Sequence, residues 1–146
     1  VQSMGLFGIF KKNKKERIEI NDNIFGNLML IDEGWVKAFE IKLFDNNYDI
    51  DLIVENDENG EKSISEKQKN MYMKFIEEQI RIKSEVERII TEKYNFIDKS
   101  ELLNSRPLSI YFELSGNVKL TCSIGSEGDE IIEIELLPQV KFNKVL

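Results

Sequence analysis

From Arg17 to Glu55 the apolar positions recur with a period of two, the mark of strands with one face in a core. Phe39, Ile41 and Leu43 alternate with Ala38, Glu40 and Lys42; Tyr48, Ile50, Leu52 and Val54 alternate with Asp49, Asp51, Ile53 and Glu55. Two strands follow, Trp35 to Phe44 and Tyr48 to Glu55, joined by a tight turn at Asn46-Asn47, since asparagine tolerates positive φ. That turn sets Leu43 opposite Ile50, Ile41 opposite Leu52 and Phe39 opposite Val54, all on one face. An earlier strand at Asn27–Ile31 enters this hairpin through Asp32-Glu33-Gly34.

Beyond the polar stretch Asn56–Lys62 the period lengthens. Tyr72, Phe75, Ile76, Ile82, Val86, Ile89, Ile90 and Tyr94 recur at steps of three and four, predicting a helix over Glu66–Tyr94. Unbroken, its apolar stripe would run about 40 Å. Ser65 with Gln68, or Ser63 with Glu66, supplies a capping box at its start. Gln79 interrupts the stripe near its middle, where a bend or a polar contact is expected.

After Ser100 the period returns to two. Leu108, Ile110, Phe112 and Leu114 share one face, and Val118, Leu120, Cys122 and Ile124 another. A Ser115-Gly116-Asn117 loop pairs Leu114 with Val118 and Phe112 with Leu120. Ile132, Ile134 and Leu136 continue the alternation after an acidic loop, Gly125 to Glu130, until Pro138 ends the strand or places it at an edge. The expected class is α+β, with antiparallel β-meanders before and after one long amphipathic helix that packs on the sheet. Residues 17–146 read as one domain. Val1–Ser3 read as a tag remnant before Met4, and residues 4–16 as a flexible apolar and basic arm.

Composition narrows this picture without changing it. A chain of 146 residues, 41% hydrophobic and 32% charged, buries enough surface to fold without metal or disulfide. A lone cysteine, Cys122, forms no internal disulfide, and its apolar neighbours mark it as a buried core residue. A single cysteine fits a reducing cytoplasm, the expected location, and no run approaches the length of a membrane span. The apolar stretch Met4–Phe10 precedes its lysines, the reverse of a secretory signal. Charge is uneven: Lys11 to Arg17 holds five basic residues, and the chain beyond carries 15 basic against 26 acidic, a net −11. An acidic body repels phosphate backbones, so nucleic-acid binding is not expected, whereas a basic protein partner would be attracted.

The chemistry is sparse. Histidine is absent, which removes the usual neutral-pH general base and His-ligated metals. No phosphate-binding loop, dinucleotide fingerprint or nucleophile elbow occurs. Asp49, Asp51 and Glu55 share a strand face, as Glu133 and Glu135 do, in the alternation of any half-exposed strand. Glu55, Asp57, Asn59, Gly60 and Glu66 have the spacing of a calcium loop, but Glu55 replaces the usual aspartate and Lys62 an apolar residue. A plain strand-to-helix loop is the expectation, with no catalytic residue, metal or cofactor. Trp35, next to a turn glycine, reads as a partial core residue, with an interface anchor as the alternative. The candidate partner-binding residues are Glu127, Asp129 and Glu130 on the acidic loop, with Asp49 and Asp51.

Gly34-Trp35, Leu43-Phe44 and Ile64-Ser65-Glu66-Lys67-Gln68, opening a helix that ends near Tyr94, resemble a family of small bacterial proteins classed as a domain of unknown function. The resemblance covers Ile24 to Asn143. Its last hairpin often carries an acidic-His-Gly turn; here Glu127-Gly128-Asp129-Glu130 lacks the histidine. Such proteins look like immunity proteins of bacterial toxin systems, which act by stoichiometric binding. The resemblance therefore implies a non-enzymatic module that neutralises a cognate toxin. The alternative is a membrane-surface adaptor tethered through residues 4–16.

Overall fold

The computed structural model describes residues 17–57, 63–128 and 130–146. The N-terminal arm, Asn59 and Gly60 of the calcium-like spacing, and Asp129 lie outside them.

The described residues form one eight-stranded sheet, with strands in sequence order. These are β1 (Glu19–Asp22), β2 (Gly26–Ile31), β3 (Gly34–Leu43), β4 (Asn46–Val54), β5 (Arg106–Phe112), β6 (Val118–Ile124), β7 (Glu130–Leu137) and β8 (Lys141–Val145). Helix α1 (Glu66–Lys93) and a single turn, α2 (Lys99–Leu102), connect β4 to β5. The expected α+β fold of separate antiparallel meanders is thereby corrected. β4 and β5 pair in parallel, Leu52 beside Ile110 and Val54 beside Phe112, fusing the two halves into a continuous mixed sheet. Parallel neighbours need a long crossover, and the helical connection supplies it. Unpaired, β4 and β5 would each expose a ladder of backbone groups next to the core.

Both hairpin registers also differ from the sequence reading. The first turn is Phe44-Asp45, at φ 47° and 65°, instead of Asn46-Asn47. Leu43 consequently faces Asn46, Ile41 faces Tyr48 and Phe39 faces Ile50. The slip is an even number of residues, so every side chain keeps its face. A helix residue holds this turn: the Phe44 N–H donates to the Glu87 carboxylate at 2.7 Å. In the second hairpin Phe112 pairs with Val118 and Ile110 with Leu120, leaving Leu114 in a longer connection. There the Glu113 N–H donates to the Asn117 carbonyl. Leu108 sits at a bulge and is partly exposed.

Helix α1 opens where its capping box lies. The Ser65 hydroxyl accepts from the Gln68 N–H at 3.2 Å, and the Gln68 carbonyl oxygen accepts from the Ser65 N–H at 3.3 Å. Gln68 does more than cap. Its buried amide nitrogen donates to the carbonyls of Glu55 and Phe112, both at 3.0 Å, stitching the ends of β4 and β5 to the helix start. The Glu55 side chain accepts from the Leu114 N–H at 2.8 Å. One oxygen of that carboxylate is thus tied to the backbone just after β5.

The core lies between the sheet and α1. Phe75, Ile82, Val86 and Ile90 from the helix meet Leu52, Val54, Ile110, Phe112, Leu120, Ile132 and Ile134 from the strands. Phe25, Tyr72, Phe75 and Phe112 pack ring against ring, with centroids 4.3 to 6.3 Å apart. Trp35 is 1% exposed, a core residue, and its indole N–H meets no acceptor among the described residues. Cys122 is fully buried and its thiol is pushed up to about 12 by burial, so the reactive thiolate is suppressed.

The turn before β2 carries a pH-sensitive anchor. Burial works to raise the pKa of Asp22, but the Phe25 and Ile24 N–H groups at 2.8 and 2.9 Å outweigh it, with Lys69 at 3.1 Å. The net shift is downward. A carboxylate with a depressed folded-state pKa contributes stability that is present above the unfolded value, near 4, and is lost as pH falls through the folded one. We expect the melting temperature to drop between pH 5 and pH 2, and to drop less in Asp22→Asn. Parallel pH–melting curves for the two proteins would refute this.

Candidate functional site

The predicted partner residues divide between two places. Asp49 and Asp51 stand exposed on β4, with the core residues Ile50 and Leu52 alternating on the opposite face. They pair in register with Glu40 and Ala38 of β3, and line neither of the hollows described below. Glu127 and Glu130 lie on and just after the β6–β7 turn, and they do line a cleft.

That cleft is built by the end of the helix. α1 stops at Lys93, and Tyr94 closes it with its N–H donating to the Ile90 carbonyl at 3.0 Å. The chain then turns, the Ile97 N–H donating to the Tyr94 carbonyl, and starts α2. This turn throws the Phe96 ring outward, 78% exposed. Tyr94 is buried beside it, the two ring centroids 5.9 Å apart and tilted by 48°. Opposite runs the β6–β7 turn, whose Gly125 and Gly128 take positive φ. The Gly125 N–H donates to the Ser105 hydroxyl at 2.9 Å, fixing the turn to the segment before β5. The resulting hollow holds about 190 Å³ between Tyr94, Phe96 and Ile97 on one side and Ile124, Ser126 and Glu127 on the other.

Three carboxylates, Glu101, Glu127 and Glu130, reach this hollow. The Tyr94 hydroxyl donates to Glu130 at 2.6 Å, and the Ser126 hydroxyl donates to Glu101. Neither donor neutralises its acceptor. The Tyr94 pKa is raised well above the ordinary phenol value by burial first and by the Glu130 hydrogen bond and charge second. The phenol therefore stays protonated, and its hydroxyl holds the Glu130 carboxylate at the edge of the cleft. An exposed aromatic face beside several anions suits a flat or compact cation, such as a guanidinium or an ammonium group, which gains from both.

Residues 24–134 match the family described as a domain of unknown function, DUF6985. The chain belongs to that family. The match spans β2 to most of β7 and contains the whole cleft from Tyr94 to Glu130. No curated protein and no solved structure matches the chain.

The sequence pointed to Glu127 and Glu130 through charge alone. It missed Phe96, Ile97 and Glu101, which belong to the connection after the helix and have no periodicity to mark them. An aromatic residue just past a C-cap, off the apolar stripe, was the available signal. Among the described residues no group of three or more acidic or cysteine side chains is arranged to hold a metal ion, and no helix is long and apolar enough to cross a membrane.

Proposed function

We propose that this domain is a non-enzymatic protein-binding module that receives a basic group of its partner in the Phe96 cleft. The observation that carries the reading is the convergence of an exposed phenylalanine with the carboxylates of Glu101, Glu127 and Glu130 around one hollow. Aromatic residues with an apolar face and a charged surround are the usual anchors of protein interfaces. The net charge of −11 beyond Arg17 would steer a basic partner toward the domain before contact. In its finer form the reading is an immunity protein, neutralising a cognate bacterial toxin by stoichiometric binding, as the resemblance implies.

Affinity capture from lysate of the source cells tests it, using the full chain and a Phe96→Ser, Glu127→Lys double variant. Both side chains are exposed, so the fold should survive the exchange. We expect the unaltered protein to retain a basic protein in equimolar amount and the variant to retain at least tenfold less. In the finer form, that captured protein arrests growth when expressed alone and is tolerated when co-expressed with this chain. Equal retention by both proteins removes the cleft from the interface.

A further inference from the structure

A second hollow, of about 260 Å³, lies between the middle of α1 and residues of β3, β6 and β7. Its floor is Leu120 and Leu136, both buried, and its walls include Phe75 and Val86 of the helix and Leu43 of β3. The helix stripe passes directly over it, and an apolar side chain at position 79 would help to fill it. The sequence places Gln79 there instead, on an exposed position at the mouth.

One turn further along, Lys83 also lines the mouth, its ammonium 3.1 Å from the Glu87 carboxylate. Glu87 is itself fixed by the Phe44 N–H, so the lysine is held in place from outside the hollow. Ile80, 81% exposed, forms an apolar lip beside them. Among the described residues no acidic side chain lines the hollow. Lys42 belongs to the rim through its strand, but strand alternation with Ile41 and Leu43 sends its side chain to the other face.

We propose that this hollow binds a small amphipathic carboxylate, with an alkyl or aryl body inside and the carboxylate at the mouth on the Lys83 ammonium and the Gln79 amide. An apolar cavity of about 150 Å³ accepts benzene, so this one has room for a ring with a short tail or for a chain of about eight carbons. The apolar walls supply affinity, and the donors at the mouth select the anion over a cation of the same length. The site shares no residue with the Phe96 cleft and stands or falls independently of it.

The test uses the full chain with methyl-labelled leucine and valine, titrated with sodium octanoate, 1-octanol and octylammonium chloride. Octanoate is expected to move the Leu120, Leu136 and Val86 methyl signals at millimolar concentration, and to bind at least tenfold more tightly than octylammonium. Lys83→Met should weaken octanoate about tenfold and leave 1-octanol unchanged. Gln79→Trp, on an exposed position, should block the mouth to all three, which keeps the test sound if the lysine variant proves unstable. Unmoved Leu120 and Leu136 signals, equal binding of octanoate and octylammonium, or undiminished octanoate binding in either variant would each overturn the proposal.

Discussion

Gly34→Ala is expected to destabilise the domain by more than about 3 kcal/mol, enough to lower its urea midpoint sharply or to prevent soluble expression. Gly34 opens β3 at φ +143°, and an added Cβ would lie 2.4 Å from the Val54 carbonyl oxygen and 3.1 Å from its carbon. Those are backbone atoms of β4, so no side chain can swing aside. Relief requires separating the strands where Trp35 pairs with Val54, at the edge of the aromatic core. Gly125→Ala is the control. It also has positive φ, +76°, but no described residue lies within 4 Å of the new Cβ. Its expected cost is the left-handed backbone alone, about 1–2 kcal/mol. Equal losses in the two variants would show that crowding between β3 and β4 is not the cause.

Gln68→Leu is the second large effect. Leucine preserves the volume but abolishes both donors, leaving the Glu55 carbonyl without its amide partner and the Phe112 carbonyl with only the Glu55 N–H. It also ends the capping box with Ser65. Losing the side-chain half of the capping box and the amide on two buried carbonyls together costs about 2–4 kcal/mol, although the Ser65 hydroxyl still accepts from the backbone N–H of residue 68. For a domain of this size that corresponds to a fall in melting temperature of roughly 5–12 °C. A thermal melt followed by circular dichroism reads it directly, and a shift below about 2 °C would mean that β4 and β5 do not depend on this amide.

Gln68 also marks the boundary of what the sequence made legible. The Ser65-x-x-Gln68 step announced the helix start because capping is local chemistry, and the stripe from Tyr72 to Tyr94 announced its length. Strand faces were legible too: Ile50, Leu52, Val54, Ile132, Ile134 and Leu136 are all buried, as alternation required. Pairing was not. A period of two says which face a residue takes, but not which strand lies beside it. The parallel contact of β4 with β5 joins residues more than fifty positions apart, and the bridge that seals it is the far end of a side chain recognised only as a cap.

The first hairpin failed for a related reason. Asn46-Asn47 has the better intrinsic tolerance of positive φ, yet Phe44-Asp45 takes the turn. There the freed Phe44 N–H meets Glu87, which comes from the helix more than forty residues later. Tertiary contact outweighed local preference. β1 falls inside the period-two stretch from Arg17 but was not separated as a strand, and β8 and the single-turn α2 escaped notice, all being four or five residues long. At the candidate site charge drew attention to Glu127 and Glu130, while the aromatic half of the cleft emerged only once the end of α1 was placed against the β6–β7 turn.

Whether that cleft recognises a cation can be measured without knowing the partner. Amide spectra of the full chain, titrated with Nα-acetyl-arginine amide and with its neutral isostere Nα-acetyl-citrulline amide, separate charge from shape. The signals of Phe96, Ser126, Glu127 and Glu130 should move with arginine, move far less with citrulline, and stay still in Glu127→Lys. Identical responses to the two probes, or shifts centred on Asp49 and Asp51 instead, would contradict the assignment of the cleft as the binding surface.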